Sequence, residues 1–156
     1  MTTENRRKDW LVLSFLLYCA VMLWLLFFQR QPYDGPRAEY WRIYINLTPF
    51  VTLDRLVYLI RQGFSPELTR FALGNIGGNV VLFMPPGLLL PSLWKRQRRF
   101  WVFFLTMALA VAAVELIQWY TTLGSLDVDD LILNLLGGSL GFVVWKWMVR
   151  GEVLDR

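Results

Sequence analysis

Two stretches of this chain run without a charged residue for long enough to cross a membrane: Trp10 to Gln29, 20 positions, and Phe71 to Trp94, 24 positions. At 1.5 Å of rise per helical residue each spans a hydrocarbon core of about 30 Å. A soluble domain of 156 residues has no interior large enough to hide such runs, whereas a bilayer accepts them. Two further segments follow. Phe100 to Leu126 carries one charge, Glu115, and Asp130 to Val149 is apolar inside except for Lys146, whose long stem reaches the headgroups near one end. With 56% hydrophobic and 18% charged residues, the composition agrees. The expectation is an all-α membrane protein. It forms a four-helix transmembrane bundle, one domain over residues 1–156, with helices at about 10–29, 66–94, 100–120 and 130–149 and an outer segment at 30–65.

Lysine and arginine set the orientation. Arg6, Arg7 and Lys8 precede the first span, Lys95, Arg96, Arg98 and Arg99 join the second to the third, and Arg150 and Arg156 follow the fourth. The turn between the third and fourth has none, so both termini are expected in the cytoplasm. The first span has no small-residue cleavage site and reads as an uncleaved anchor. The net charge of +4 is a topology signal and a contact with anionic membrane lipid, and no basic surface with interleaved aromatics points to nucleic acid. The single cysteine, Cys19, lies inside the first span, and there is no histidine.

The outer segment has its own order. Leu53, Leu56, Val57 and Ile60 recur at helical spacing with Gly63 as a stop, which predicts a short amphipathic helix in the outer interface. Ser65-Pro66 resembles an N-cap and first turn for the second span. Pro85-Pro86-Gly87 is expected to break or bend that span, because each proline removes a backbone hydrogen bond.

Placed on this topology, the polar residues share one depth. Asn75 and Asn79 lie at i and i+4 near the outer end of the second helix, and Glu115 and Gln118 at i and i+3 near the outer end of the third. Glu115 is about 7 to 8 Å below Tyr120. The fourth helix begins outside with Asp127, Asp129 and Asp130, then Asn134 one turn on. Gly74 with Gly78 and Gly137 with Gly141 make the spacing that lets helices approach closely. These placements predict an outer-leaflet polar pocket lined by Asn75, Asn79, Glu115, Gln118, Asp130 and Asn134. For the three asparagines, interhelical hydrogen bonds of about 0.6 kcal/mol each account for the pattern as well as ligand contacts do. A carboxylate at Glu115 costs about 2.5 kcal/mol or more in a span, and Arg42 and Arg70 are the first partners to test. Asp127, Asp129 and Asp130 read as a solvated turn with Asp130 as the helix cap. They do not make the EF-hand spacing, and a Ca²⁺ or Mg²⁺ bridging them to Glu115 is the alternative. No cofactor is expected.

Four stretches in order, Asn46-Leu47-Thr48-Pro49-Phe50, Asn75-Ile76-Gly77-Gly78-Asn79 through Pro85-Pro86-Gly87 to Pro91, Glu115-Leu116-Ile117-Gln118, and Asp127-Val128-Asp129-Asp130-Leu131-Ile132-Leu133-Asn134 with Gly137 and Gly141, resemble the VanZ-like family of small membrane proteins. The resemblance covers roughly residues 43–142. It implies a bacterial plasma membrane protein related to one that raises resistance to the lipoglycopeptide teicoplanin, and it adds Asn46 and Asp127 to the candidate binding set. The family often has an arginine between the glycine of the outer turn and the first aspartate, whereas Gly124-Ser125-Leu126-Asp127 has none.

Three functions compete. One is a non-enzymatic protein whose pocket engages an amphiphile, a lipoglycopeptide or a lipid-linked cell-envelope intermediate. Another is an enzyme acting on a lipid or glycan with Glu115 or Asp130 as acid or base, against which stand the missing histidine and nucleophile motifs. The third is a structural or assembly role in which the amides only join helices.

Overall fold

The computed structural model describes residues 3–63 and 66–154. Ser65, the expected N-cap, and Arg156 lie outside the described residues. The order is α1 Thr3–Leu23, a π-helical turn Trp24–Phe28, α2 Arg37–Ile43, β1 Ile45–Asn46, α3 Val51–Arg61, α4 Pro66–Leu93, a 3₁₀ turn Lys95–Arg98, α5 Phe100–Tyr120, β2 Leu126–Asp127 and α6 Val128–Leu154. Among the described residues four helices are long and apolar enough to cross a membrane: Asn5–Phe28, Pro66–Leu93, Phe100–Tyr120 and Val128–Val149. The protein is an all-α, multi-pass membrane protein. Its first helix starts seven residues earlier than the apolar run, because the polar residues before Trp10 continue the helix.

The helices pack in an order set by glycine. A Cβ placed on Gly137 would fall on the Val80 carbonyl, one on Gly141 on the Met84 carbonyl, and one on Gly87 on the Gly138 carbonyl. Helices α4 and α6 therefore touch backbone to backbone, a distance only glycine permits. Gly74, Gly77 and Gly78 meet nothing within 4 Å, so the other GxxxG pair does not join the described helices. Around the α4–α6 seam Met22, Phe83, Leu90, Phe103, Met107, Val111 and Phe142 form the apolar core. Phe103 stacks on Phe142 at 5.0 Å, bringing α5 onto α6.

Helix α4 does not break at its proline pair: helical structure runs through Pro85, Pro86 and Pro91. Pro86 donates nothing to the carbonyl four residues back, that of Leu82. The Tyr18 hydroxyl of α1 donates to that oxygen at 3.1 Å and replaces the missing N–H. A neighbouring helix thus satisfies what the proline vacates.

The amphipathic helix is present as α3, and Gly63 follows it with a φ of 64°. Its faces divide more finely than expected. Leu56 is buried toward the protein, while Leu53, Val57 and Ile60 are exposed and face away from it, as an interfacial helix requires. Helix α2 and the parallel pairing of β1 with β2 (Ile45 with Leu126, Asn46 with Asp127) have no counterpart in the periodicity. Tyr40, Tyr44 and Tyr33 stack beside them, and the Tyr40 hydroxyl donates to the Gly124 carbonyl at 2.9 Å. Burial pushes the Tyr40 phenol up, which keeps this proton in place.

Candidate functional site

At the end of the bundle that holds α2 and α3, the expected outer end, the polar residues of α4, α5 and α6 meet the loops. Most of them are spent on structure. Asp127 precedes the first residue of α6 and accepts the Asp129 N–H at 2.9 Å, so it is the N-cap. Helix α6 starts two residues earlier than expected, and the cap moves from Asp130 to Asp127. The same oxygen takes a second donor: Asn46 Nδ2 donates to it at 3.0 Å, while Asn46 Oδ1 accepts the Thr48 N–H at 3.2 Å.

Asp129 turns the other way. Only 3% exposed, it accepts the N–H groups of Phe50 at 2.5 Å and Thr52 at 2.7 Å. It therefore caps α3, whose own N-cap residue, Phe50, has no capping side chain and holds a φ of 69°. A left-handed phenylalanine costs of order 1 kcal/mol or more, and the carboxylate from α6 holds the strained turn in place. The stretch Asn46-Leu47-Thr48-Pro49-Phe50 and the three aspartates are thus one clasp between outer segment and α6.

Two more candidates are tethers. Gln118, 2% exposed, donates to the Leu26 carbonyl at 2.8 Å, an acceptor in the π-helical turn. Asn79 donates to Asp130 Oδ1 at 2.6 Å, linking α4 to α6 as their matched depth required. Asn75, one turn before Asn79, is exposed and does not converge with them.

Two of the candidate residues within the spans are left over. Glu115 is 6% exposed and Asn134 3%, and Glu115 Oε2 and Asn134 Oδ1 are buried without a hydrogen-bond partner. Asp127, Asp130 and Arg30 lie within the electrostatic reach of the Glu115 carboxyl. The basic residue brought to Glu115 is therefore Arg30, not Arg42 or Arg70. Its Nη1 lies 3.0 Å from where a Cβ on Gly124 would sit, which places a guanidinium at the turn whose own sequence has no arginine.

Glu115 also borders a cavity. It measures about 200 Å³ and is lined by Leu47, Ala112, Glu115, Leu116, Leu126, Asp127, Val128 and Leu131. Two of its lining residues, Leu47 and Leu116, are 67% and 51% exposed, so it is open to the surface. Asn75, Asn79, Gln118, Asp130 and Asn134 are not in its wall. Such a site offers an apolar slot, suited to an alkyl group, with the Glu115 and Asp127 carboxyls behind its wall. Among the described residues no group of three or more acids, cysteines or histidines is placed to hold a metal ion.

Sequence reasoning missed Arg30 and the apolar walls. Arg30 was visible as the first charge after the first span, but nothing in local spacing points it at Gly124. Ala112 stands one turn before Glu115 on the same helix face, a usable signal that small residues there leave room.

The VanZ/LLP1 family model matches residues 15–149. Protein VanZ of Enterococcus faecium is 28% identical over 129 residues, a stretch covering 83% of this chain and 69% of that protein. No solved structure matches the chain.

Proposed function

The chain belongs to the VanZ/LLP1 family, and from that premise we propose that it binds an amphiphile of the outer leaflet, a lipoglycopeptide antibiotic such as teicoplanin or a lipid-linked cell-envelope intermediate. The observation that carries this reading is a cavity whose accessible wall is apolar, with the buried, unpartnered carboxyl oxygen of Glu115 behind that wall. A purely structural carboxyl in a membrane span would be expected to spend both oxygens, as Asp129 does at the same end of the bundle. A volume of about 200 Å³ falls below the roughly 300 to 1,000 Å³ of sites that enclose a drug-sized ligand, so it takes one end of the amphiphile and leaves the rest outside. The acyl portion enters past Leu47 and Leu116 and lies against the apolar wall in front of Glu115, and Arg30, held near Gly124, attracts an anionic group such as a phosphate or carboxylate.

Binding of teicoplanin and of its deacylated form to the purified protein in nanodiscs tests this. Teicoplanin is expected to bind at least about tenfold more tightly than the deacylated form, and Ala112→Phe, which fills the cavity, is expected to remove that difference. Equal affinities for the two forms, or unchanged binding by a folded Ala112→Phe protein, would leave the cavity without this role.

A further inference from the structure

We infer that a second cavity, at the turn between α4 and α5, is a headgroup site for an anionic phospholipid of the leaflet opposite the Glu115 site. This inference does not depend on the reading of Glu115. The cavity measures about 590 Å³ and is lined by Leu90, Trp94, Lys95, Arg96, Gln97 and Thr106. It lies at the opposite membrane face because Lys95–Arg98 precedes α5, whereas Glu115 comes near the end of that helix.

The chemistry of its walls is one-sided. Two cations, Lys95 and Arg96, line it, and no acid does. Arg98 does not line the cavity, and its Nε donates to the Pro91 carbonyl at 3.2 Å, which holds the turn against the end of α4. Gln97 is held too. Thr106 donates its proton to the Val102 carbonyl at 2.8 Å and can then only accept, so the Gln97 amide nitrogen faces it at 3.0 Å. That leaves Gln97 Oε1 buried and without a partner in the wall. The turn is thus fixed by its own bonds while its two remaining cations stand at the opening.

The apolar walls decide between a soluble phosphate and a lipid. Leu90 is buried at the floor, and Trp94 is 47% exposed and meets Phe15 of α1 edge to face at 5.4 Å. Tryptophan at a span end is an interfacial side chain, and this one continues the cavity toward the lipid-facing surface between α1 and α4. A phosphate pairs with Lys95 and Arg96 while the chains beside it lie along Trp94 and Leu90. A free phosphate would leave that apolar surface bare.

Native mass spectrometry of the delipidated full chain, titrated with phosphatidylglycerol or phosphatidylcholine, tests the site. The wild type is expected to retain one phosphatidylglycerol about tenfold more strongly than phosphatidylcholine. Lys95→Ala/Arg96→Ala is expected to abolish the preference, and Arg6→Ala/Lys8→Ala, which removes the same charge from the same membrane face, to leave it intact. Equal retention of both lipids would overturn the inference. So would an equal loss in the Arg6/Lys8 protein, which would mean diffuse surface charge, or displacement of phosphatidylglycerol by millimolar glycerol 3-phosphate, which would mean a site for soluble phosphate.

Discussion

The two halves of the bundle solve different problems. Toward the α4–α5 turn the spans meet through Phe83, Phe103, Met107 and Phe142 and through glycines that let α4 and α6 touch backbone to backbone. Toward the other end they meet through carboxylates and amides that reach across to loops: Asp129 to the start of α3, Asn79 to Asp130, Gln118 to Leu26. In a bilayer the first kind of contact gains no hydrophobic energy over lipid and depends on close fit, while the second gains hydrogen bonds at a cost in desolvation. The polar end is therefore the place to look for a group that structure alone does not employ, and Glu115, with one oxygen unpartnered and a cavity beside it, is the group proposed for that role.

The comparison breaks most visibly at the glycines. Gly141→Ala puts a methyl group into the Met84 backbone and is expected to cost about 3 kcal/mol or to prevent folding. Gly74→Ala, which meets open space at the same sequence spacing, is expected to be neutral or to gain up to about 1 kcal/mol of helix propensity. Thermal midpoints in one detergent check both, and similar losses would mean that the two pairs are not in opposite surroundings.

At the polar end, Asp129→Ala removes both acceptors that start α3. It is expected to cost about 2 kcal/mol locally. Hydrogen exchange should accelerate over residues 50–56 while the core of α6 stays protected, and unchanged exchange there would refute the cap. The smallest of these stability effects is expected from Tyr18→Phe, about 1 kcal/mol, because it strips the donor from the Leu82 carbonyl beside Pro86. A double change with Pro86→Ala, which restores the backbone N–H, should recover most of that loss in the same thermal assay.

The halves also differ in how legible they were. The spans and α3 follow from local patterns, an uncharged run and a 3.6-residue period, and the shared depth of Asn79 and Asp130 follows once topology is assigned, though not the bond between them. What local patterns do not carry is contact between distant segments. Leu126 pairs with Ile45, Phe50 takes its cap from Asp129, and Arg30 reaches Gly124, each across some eighty or more positions. The unbroken helix at the proline pair has the same kind of cause: the Leu82 carbonyl that Pro86 leaves free takes its donor from Tyr18, 64 residues before Leu82. Only the cap of α6 was misplaced for a local cause, a helix start two residues early.

Growth of cells that express the wild type or Glu115→Gln, matched for folded protein in the membrane and exposed to teicoplanin, tests the central claim most directly. Glutamine keeps the size and removes the charge, so the thermal midpoint should move little. The account predicts that the wild type protects and that Glu115→Gln leaves cells as sensitive as those carrying an empty vector. Equal protection by both proteins would contradict it and would return Glu115 to the packing of the bundle.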